Sequence, residues 1–329
     1  MRCKHCFTGE ERFNVRAELT TDEILSLIAI LQKMGVCEVV IGGGEPLCRD
    51  DILIILKTIC QSGMLPSITT NGTLLTNNFI EAIKELDMGY VKVSLDGNYE
   101  SNDYIRGIGN YQRSIAGIKK LLENNIDVGV RMTINGYNFR DIYSLYTNLL
   151  EIGCKSMSFS TIRPSGNAKV NRDLFEGLIG ENYEIAMNQI LLIKKEGNMK
   201  ISLSEDAPFI SSLNENSSIL PELLPQFGCP LKGTVCEIDA YGDVSVCGFL
   251  RGLIGSEAVA GNIRHNDIEN LWNSSPVFSK FAELDIPKKC SKCKRKNVCH
   301  GGCRTRALYK YNSFEAHDPL CYSFEEMEK

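Results

Sequence analysis

The chain has 329 residues, of which 43% are hydrophobic and 23% charged, and its formal net charge is −5. This length favours one large domain with a smaller one, and the acidic balance speaks against a nucleic-acid partner. No apolar run approaches the roughly 20 residues that span a bilayer, and the first residues lack the apolar core of a signal peptide, so we expect a cytoplasmic protein without a membrane partner.

The first two hundred residues alternate between helical and strand patterns. Predicted helices cover 20–34, 51–60, 77–86, 111–123, 141–151 and 182–195, and predicted strands cover 37–41, 67–70, 90–95, 128–134 and 156–161. Such repetition predicts parallel strands joined by crossover helices. Because polar motifs directly follow several strands, a barrel or open barrel is favoured over a flat, doubly wound sheet.

The character of the sequence changes after about residue 200. Prolines at 221, 225 and 230 among clustered Asn and Ser residues indicate a linker. Beyond it lie closely spaced Cys, Gly and Lys residues. This segment has too few apolar residues for a large core, so we expect its fold to depend on metal ligation. We therefore expect a core at 1–200, a linker at 201–228 and a cysteine-rich domain at 229–329.

The chain contains 14 cysteines, and eight of them follow residue 228. In a reducing compartment so many thiols indicate metal binding or redox chemistry rather than disulfides. Eight thiols suffice for two four-cysteine sites, but zinc and iron–sulfur clusters both accept four thiolates, so spacing alone leaves both open. The eight are Cys229, Cys236, Cys247, Cys290, Cys293, Cys299, Cys303 and Cys321. We expect the cysteines at 37, 48, 60 and 154, which fit no such spacing, to be structural.

Two further motifs lie near the start of the chain. Cys3 and Cys6 form a Cys-x2-Cys pair followed by Phe7, and the segment 43–46 reads Gly-Gly-Glu-Pro directly after a predicted strand. Here the chain resembles the radical S-adenosylmethionine (radical SAM) superfamily, whose signature is Cys-x3-Cys-x2-Cys. In that family the three thiolates hold a four-iron cluster, and Cys3 and Cys6 match the second and third. The first would fall two residues before Met1, so we expect an upstream start or a truncated chain that lacks the preceding strand.

The resemblance also implies contacts to the cofactor S-adenosylmethionine. Backbone groups of the Gly-Gly-Glu-Pro segment would hold its methionine amino group, polar residues at the next strand ends would hold its ribose, and an arginine would lie near its carboxylate. By position these residues are Phe7, Gly43, Gly44, Glu45, Pro46, Asn71, Ser94, Asp96 and Arg131. The implied fold is a partial (β/α)6 parallel barrel.

The C-terminal cysteines are similar to the SPASM extension of this superfamily, which holds two auxiliary [4Fe-4S] clusters beside the catalytic one. By resemblance, one auxiliary cluster would be held by Cys229, Cys236, Cys247 and Cys303. The other would be held by Cys290, Cys293, Cys299 and Cys321.

The resemblance implies reductive cleavage of S-adenosylmethionine to a 5′-deoxyadenosyl radical, which abstracts hydrogen from a substrate. The first expectation is a ribosomally made peptide that receives a thioether or carbon–carbon link or is oxidised. Biosynthesis of a haem-like or quinone cofactor is the alternative, and the electron donor would be a flavodoxin or ferredoxin. A non-catalytic remnant and a zinc-stabilised scaffold remain open, the former because the first cluster cysteine is absent.

Overall fold

The computed structural model describes residues 1–9, 16–203, 235–293 and 296–321 of the chain. Its larger part is a sheet of six parallel strands that pair in chain order. The strands are β1 (Glu38–Ile41), β2 (Leu65–Thr70), β3 (Tyr90–Ser94), β4 (Val128–Ile134), β5 (Ser156–Thr161) and β6 (Lys200–Leu203). Within the described residues β1 and β6 each pair with one strand, so the sheet is open rather than closed into a ring.

Helices connect the strands and cover one face of the sheet. They are α1 (Thr21–Lys33), α2 (Ile52–Gln61), α3 (Asn77–Lys84), α4 (Tyr99–Arg106), α5 (Asn110–Glu123), α6 (Ile142–Glu151), α7 (Asn167–Val170), α8 (Asp173–Glu176) and α9 (Glu181–Glu196). The predicted helices and strands are confirmed to within two residues at each end. The sequence patterns do not predict α4, because its sequence YESNDYIR lacks an apolar stripe, or β6, which has only four residues.

The two faces of the sheet differ in chemistry because successive side chains of a strand point to opposite faces. One face is apolar, and Ile68, Val93, Val130 and Phe159 lie fully buried in the core that it forms with the helices. The other face lines a cavity of about 3180 Å³. Its side chains are mostly polar and include Thr69, Lys92, Ser94, Arg131, Thr133, Ser156, Ser158, Ser160 and Lys200. The alternation of side chains therefore gives the sheet an apolar face that packs against the helices and a polar face that lines the cavity.

A smaller domain follows the sheet. It contains the antiparallel strands β7 (Glu237–Ile238), β8 (Asp243–Ser245) and β9 (Val259–Asn262), and the helices α10 (Gly248–Ile254), α11 (Ile268–Ser274), α12 (Pro276–Ala282), α13 (Lys296–Cys299) and α14 (Arg304–Tyr311). Since β6 pairs with β5 as far as Leu203, the core extends past the predicted boundary at residue 200. Most of the predicted linker 201–228 lies outside the described residues.

The two domains are joined through the start of α1. The Arg264 guanidinium donates to both carboxylate oxygens of Glu23, with Nε–Oε1 at 2.6 Å, and to the carbonyl oxygens of Ala17 and Glu18. Glu23 also closes the capping box of α1 by accepting from the backbone N–H of Thr20. In the parts of the chain that the structure describes, no helix is long and apolar enough to cross a membrane.

Candidate radical and cluster site

Residues 3–7 form a loop beside the carboxyl ends of the strands. Asn167 binds the backbone of this loop at two points. The Asn167 side-chain amide donates to the Cys3 carbonyl at 2.9 Å, and the Asn167 backbone N–H donates to the Cys6 carbonyl at 2.8 Å. Both cysteines line the interior cavity. Because the hydrogen bonds engage carbonyl groups, the loop is anchored without using the thiols of Cys3 and Cys6.

A buried carboxylate supports the same loop from behind. Asp96 has no solvent exposure, and its Oδ2 accepts from His5 Nε2 at 2.9 Å and from Arg106 Nε at 2.6 Å. Its Oδ1 accepts from the backbone N–H of Thr133 at 2.7 Å. Burial alone would raise the pKa of Asp96, but the Arg106 charge and the hydrogen bonds from His5 and Thr133 hold that pKa well below its usual range. An ionised carboxylate thus connects the cysteine loop to the end of β3.

Asp96, which the resemblance places near the ribose, has its own partners within the protein. Both of its carboxylate oxygens accept hydrogen bonds and its side chain is fully buried. Ser94 lies two residues earlier, is partly exposed and lines the cavity. It pairs in register with Arg131 across β3 and β4, which places these two side chains together on the cavity wall.

The Gly-Gly-Glu-Pro segment is fixed to the end of β2 through its glutamate. Glu45 Oε1 accepts from Thr70 Oγ1 at 2.6 Å, and Glu45 Oε2 accepts from the backbone N–H of Asn71 at 2.8 Å. The Glu45 carboxylate therefore has hydrogen-bond partners within the protein. A Cβ added at Gly43 or Gly44 would meet no atom within 4 Å, so the backbone here faces open space at the cavity.

The other predicted cofactor contacts also have internal partners. The Asn71 side-chain oxygen accepts from the N–H and hydroxyl groups of Thr73, at 2.8 and 2.6 Å. The Phe7 ring packs against the ring of Phe249 in the second domain, with centroids 5.1 Å apart. Pro46 is buried at the first position of a short 3-10 helix, where its fixed φ suits the turn.

The described cysteines of the second domain line two cavities. A small cavity is lined by Cys290, Cys293, Cys299 and Cys321, together with Lys296, Gly301 and His317. Cys236, Cys247 and Cys303 line the large interior cavity that also contacts Cys3 and Cys6, and Cys299 lines both cavities. The division of these thiols between two clusters stays a prediction from the resemblance. Cys229 lies outside the described residues.

Burial perturbs several of these thiols. It raises the pKa of Cys236 and of Cys290 to about 11 and that of Cys299 to about 12, with nearby acidic groups adding to the effect. Thiols with such pKa values are protonated at neutral pH in the absence of a metal. Binding of a metal or cluster must therefore release protons, as expected for soft, thiolate-based centres.

Of the remaining cysteines, Cys37 and Cys48 also line the large interior cavity. Cys154 is buried beneath the helices, where burial raises its pKa to about 11, while Cys37 and Cys48 are exposed. Among the described residues, no three His, Cys, Asp or Glu side chains converge closely enough to hold a single metal ion.

Sequence motifs do not identify two cationic side chains on the cavity wall. Lys92 in β3 and Lys200 in β6 both line the cavity beside Arg131. The signal that could have located Lys92 is the alternation of the segment YVKVS, in which the lysine falls on the face opposite the valines. The sequence does not show which residues of neighbouring strands lie beside Lys92, so it does not place Lys92 near Arg131 and Lys200.

Residues 1–149 match the Radical SAM superfamily, and residues 229–294 match SPASM, an iron–sulfur cluster-binding domain. The chain carries a radical SAM domain followed by a SPASM domain. Its curated relatives are synthases and maturases, and the two domains imply iron–sulfur clusters and binding of S-adenosylmethionine.

The most informative relatives of this radical SAM protein span nearly its whole length. It is 27% identical to the AdoMet-dependent heme synthase of Methanosarcina barkeri, over 98% of this chain and 92% of that protein. It is 25% identical to the mycofactocin maturase MftC of Mycolicibacterium smegmatis, over 98% and 79%. The fold matches that of Streptococcus suis SuiB bound to its precursor peptide SuiA, with a TM-score of 0.77, 19% identity and coverage of 97% and 72%.

Proposed function

We propose that this protein cleaves S-adenosylmethionine reductively and takes a hydrogen atom from a substrate held in the interior cavity. The observation that carries the proposal is that the cysteine loop, the glycines after β1 and Arg131 all face this one cavity. When bound, a reduced four-iron cluster with S-adenosylmethionine supplies one-electron cleavage of a carbon–sulfur bond, which yields methionine and a 5′-deoxyadenosyl radical. The protein supplies binding, orientation and exclusion of water.

The residues on the cavity wall suit these tasks. Cys3 and Cys6 would supply thiolates, and the backbone of Gly43 and Gly44 would approach the cofactor's amino group. The Arg131 guanidinium would bind its carboxylate, with the Ser94 hydroxyl beside it for the ribose. Asp96 would act as a positioning residue that holds the loop through His5.

The second domain would hold two auxiliary [4Fe-4S] clusters. Cys229, Cys236, Cys247 and Cys303 would bind the first, which would face the substrate and either contact it or accept an electron. The second would be bound by Cys290, Cys293, Cys299 and Cys321 in the small cavity. A flavodoxin or ferredoxin would deliver electrons, and we expect the protein to act in the reducing cytoplasm.

We propose a haem-like tetrapyrrole as the substrate class. The heme synthase relative supports this, because the similarity extends over both domains. The cationic side chains of the cavity wall also suit the carboxylates of such a molecule. A ribosomally made peptide is the second candidate, favoured by the similarity to a mycofactocin maturase.

The experiment uses protein purified without oxygen from the natural gene, with any codons upstream of Met1 retained. After reduction with dithionite, we expect 5′-deoxyadenosine and methionine to form from S-adenosylmethionine. Cys6→Ser is expected to abolish this product, and Cys60→Ser in α2 is the matched control that retains it. Wild-type protein that holds about twelve irons but forms no 5′-deoxyadenosine would overturn the proposal.

A further inference from the structure

Three cations share the interior wall of the sheet. Lys92, Arg131 and Lys200 all line the cavity. Glu38 is the only carboxylate among the side chains that the six described strands direct to this face, and it already accepts from Ser67 Oγ at 2.5 Å. The wall therefore carries an excess of positive charge.

Strand register fixes where the two lysines lie. Lys92 pairs with Gly129, Gly129 with Ser156, and Ser156 with Lys200, so the two lysines occupy one level of the sheet. Only a glycine and a serine separate them, which leaves a trough across β4 and β5. With neighbouring strands 4.7–4.9 Å apart, the lysine backbones are about 14 Å from each other. Arg131 lies one level nearer the cysteine loop.

The side chains around this trough are already ordered. Lys92 Nζ lies 3.9 Å from the centre of the Tyr90 ring, a cation–π contact that directs the ammonium along the wall. A Cβ at Gly129 would come within 3.4 Å of Lys92 Cγ, so the lysine stem crosses the space that the glycine leaves free. Burial, and then repulsion from Arg131, lowers the pKa of Lys92, while Glu38 opposes this shift.

Within the described residues, the charges of the wall have no hydrogen-bonded or ion-paired partner, although the Lys92 ammonium contacts the Tyr90 ring. Among the described residues, neither ammonium of Lys92 and Lys200 nor the Arg131 guanidinium makes a side-chain hydrogen bond or an ion pair. Lys92 and Arg131 are partly buried, and Lys200 is exposed at the start of the edge strand β6. Like charges along a partly buried wall destabilise the fold unless an anion joins them. If Arg131 binds the carboxylate of S-adenosylmethionine, the two lysines remain for another anion.

We propose that Lys92 and Lys200 form a binding site for carboxylates of the substrate, one level below the cofactor. The site would take a molecule with two separated carboxylates, one for each lysine, and would place the body of the molecule over Gly129 and Ser156. This inference rests on the proposed function, because it assigns the site to the substrate of that reaction. The charge-assisted contacts would orient the substrate beneath the radical.

The test measures ligand binding and cofactor cleavage separately in the reconstituted full-length protein. Ferric haem, which carries two carboxylates, is titrated by its visible absorbance, and its dimethyl ester is the probe that lacks carboxylates. The variants are Lys92→Gln, Lys200→Gln and the double substitution. Lys57→Gln, on the exposed side of α2, is the matched control. Iron content and substrate-free formation of 5′-deoxyadenosine are measured for each variant, to show that it folds and holds its clusters.

We expect the double substitution to weaken haem binding by at least about tenfold and Lys57→Gln to leave it unchanged. The ester should bind weakly and should be insensitive to all substitutions. A glutamate-rich peptide and its glutamine counterpart provide a second arm. Lysine-dependent binding of that peptide, without binding of haem, would support the site and identify a peptide substrate.

Binding of haem and peptide that does not depend on the two lysines, or no binding of either to the wild type, would overturn the site. Failure of the proposed reaction is distinguishable from failure of the site, because the wild type would then form no 5′-deoxyadenosine.

Discussion

Arg306 and Asp318 form an ion pair in which neither side chain has any solvent exposure, with Nη2 and Oδ2 2.7 Å apart. Asp318 Oδ2 also accepts from the backbone N–H of Cys303 at 2.6 Å, while Arg306 donates to the hydroxyl of Thr161 at the end of β5. The backbone N–H of Cys321 donates to the Asp318 carbonyl at 3.0 Å. One buried pair thus links both cysteine groups of the second domain to the sheet.

Removal of the Asp318 carboxylate should destabilise the protein strongly. Asp318→Ala leaves the Arg306 guanidinium buried without its counterion, which typically costs about 3–5 kcal/mol. The free energy of unfolding is measured by denaturant titration of the protein purified without oxygen, with its clusters bound. Lys310→Ala is the control, because its pair with Glu176 is exposed, at 36% and 39%, and should contribute about 0–1 kcal/mol. Equal losses for the two variants would contradict this account.

A methyl group at Gly166 should displace the cysteine loop. Gly166 has a φ of 55°, and a Cβ there would overlap the carbonyl oxygens of Cys6 and Phe7. We expect Gly166→Ala to lose about four irons, those of the N-terminal cluster. Gly197→Ala is the matched control, since Gly197 also has a positive φ of 70° but no atom lies within 4 Å of the added carbon. We expect Gly197→Ala to lower the free energy of unfolding by about 1–2 kcal/mol through backbone strain and to keep its full iron content.

Asp96 should matter for catalysis although it lies behind the loop. Asp96→Asn removes the charge that holds His5 and Arg106. Residues that orient cluster ligands typically contribute about 10–100-fold, so we expect 5′-deoxyadenosine formation to fall by at least about tenfold. Asp87→Asn, at an exposed position after α3, is the control. An Asp96→Asn enzyme as active as that control would show that the carboxylate is dispensable.

The link between the domains should depend on pH. Hydrogen bonds from Arg264 and from the Thr20 backbone lower the pKa of Glu23 from 4.5 to about 2. Because the pKa is lowered in the folded state, the stabilisation is complete above about pH 4.5 and is lost as the pH falls towards 2. The difference in unfolding midpoint between wild type and Glu23→Gln should therefore shrink over this range. Arg264→Met should show the same pH profile, and a difference that stays constant down to pH 2 would contradict the assignment.

Iron analysis should separate the cysteine groups. Cys299→Ser is expected to remove about four irons, because its thiol lines the small cavity with Cys290, Cys293 and Cys321. Cys303→Ser should remove a different set of about four, with an altered spectrum in the presence of substrate. Cys154→Ser, buried beneath the sheet helices, is the control and should keep all iron. Two zinc ions and no iron in reconstituted wild type would contradict the cluster assignment.

Much of the fold can be predicted from the sequence because it depends on short-range patterns. The alternation of YVKVS and of the segment 128–134 defines strands with one apolar face, and chain order alone then yields parallel neighbours. The candidate ligands Cys3, Cys6 and Cys290 are likewise identified by local spacing. Periodicity could not locate α4, because its buried polar residues hydrogen-bond to groups outside the helix and it has no apolar stripe.

The sequence by itself determined the order of the elements, the polar motifs at the strand ends and the spacing of the thiols, because each depends on residues close together in the chain. Tertiary structure alone decided that the Asp96 carboxylate meets His5 and Arg106, and that Lys92 and Lys200 occupy one level of the cavity wall. It also decided that Arg306 finds Asp318 as its counterion. These outcomes depend on which groups meet across long sequence separations, and only the packed sheet fixes which polar atoms become buried together.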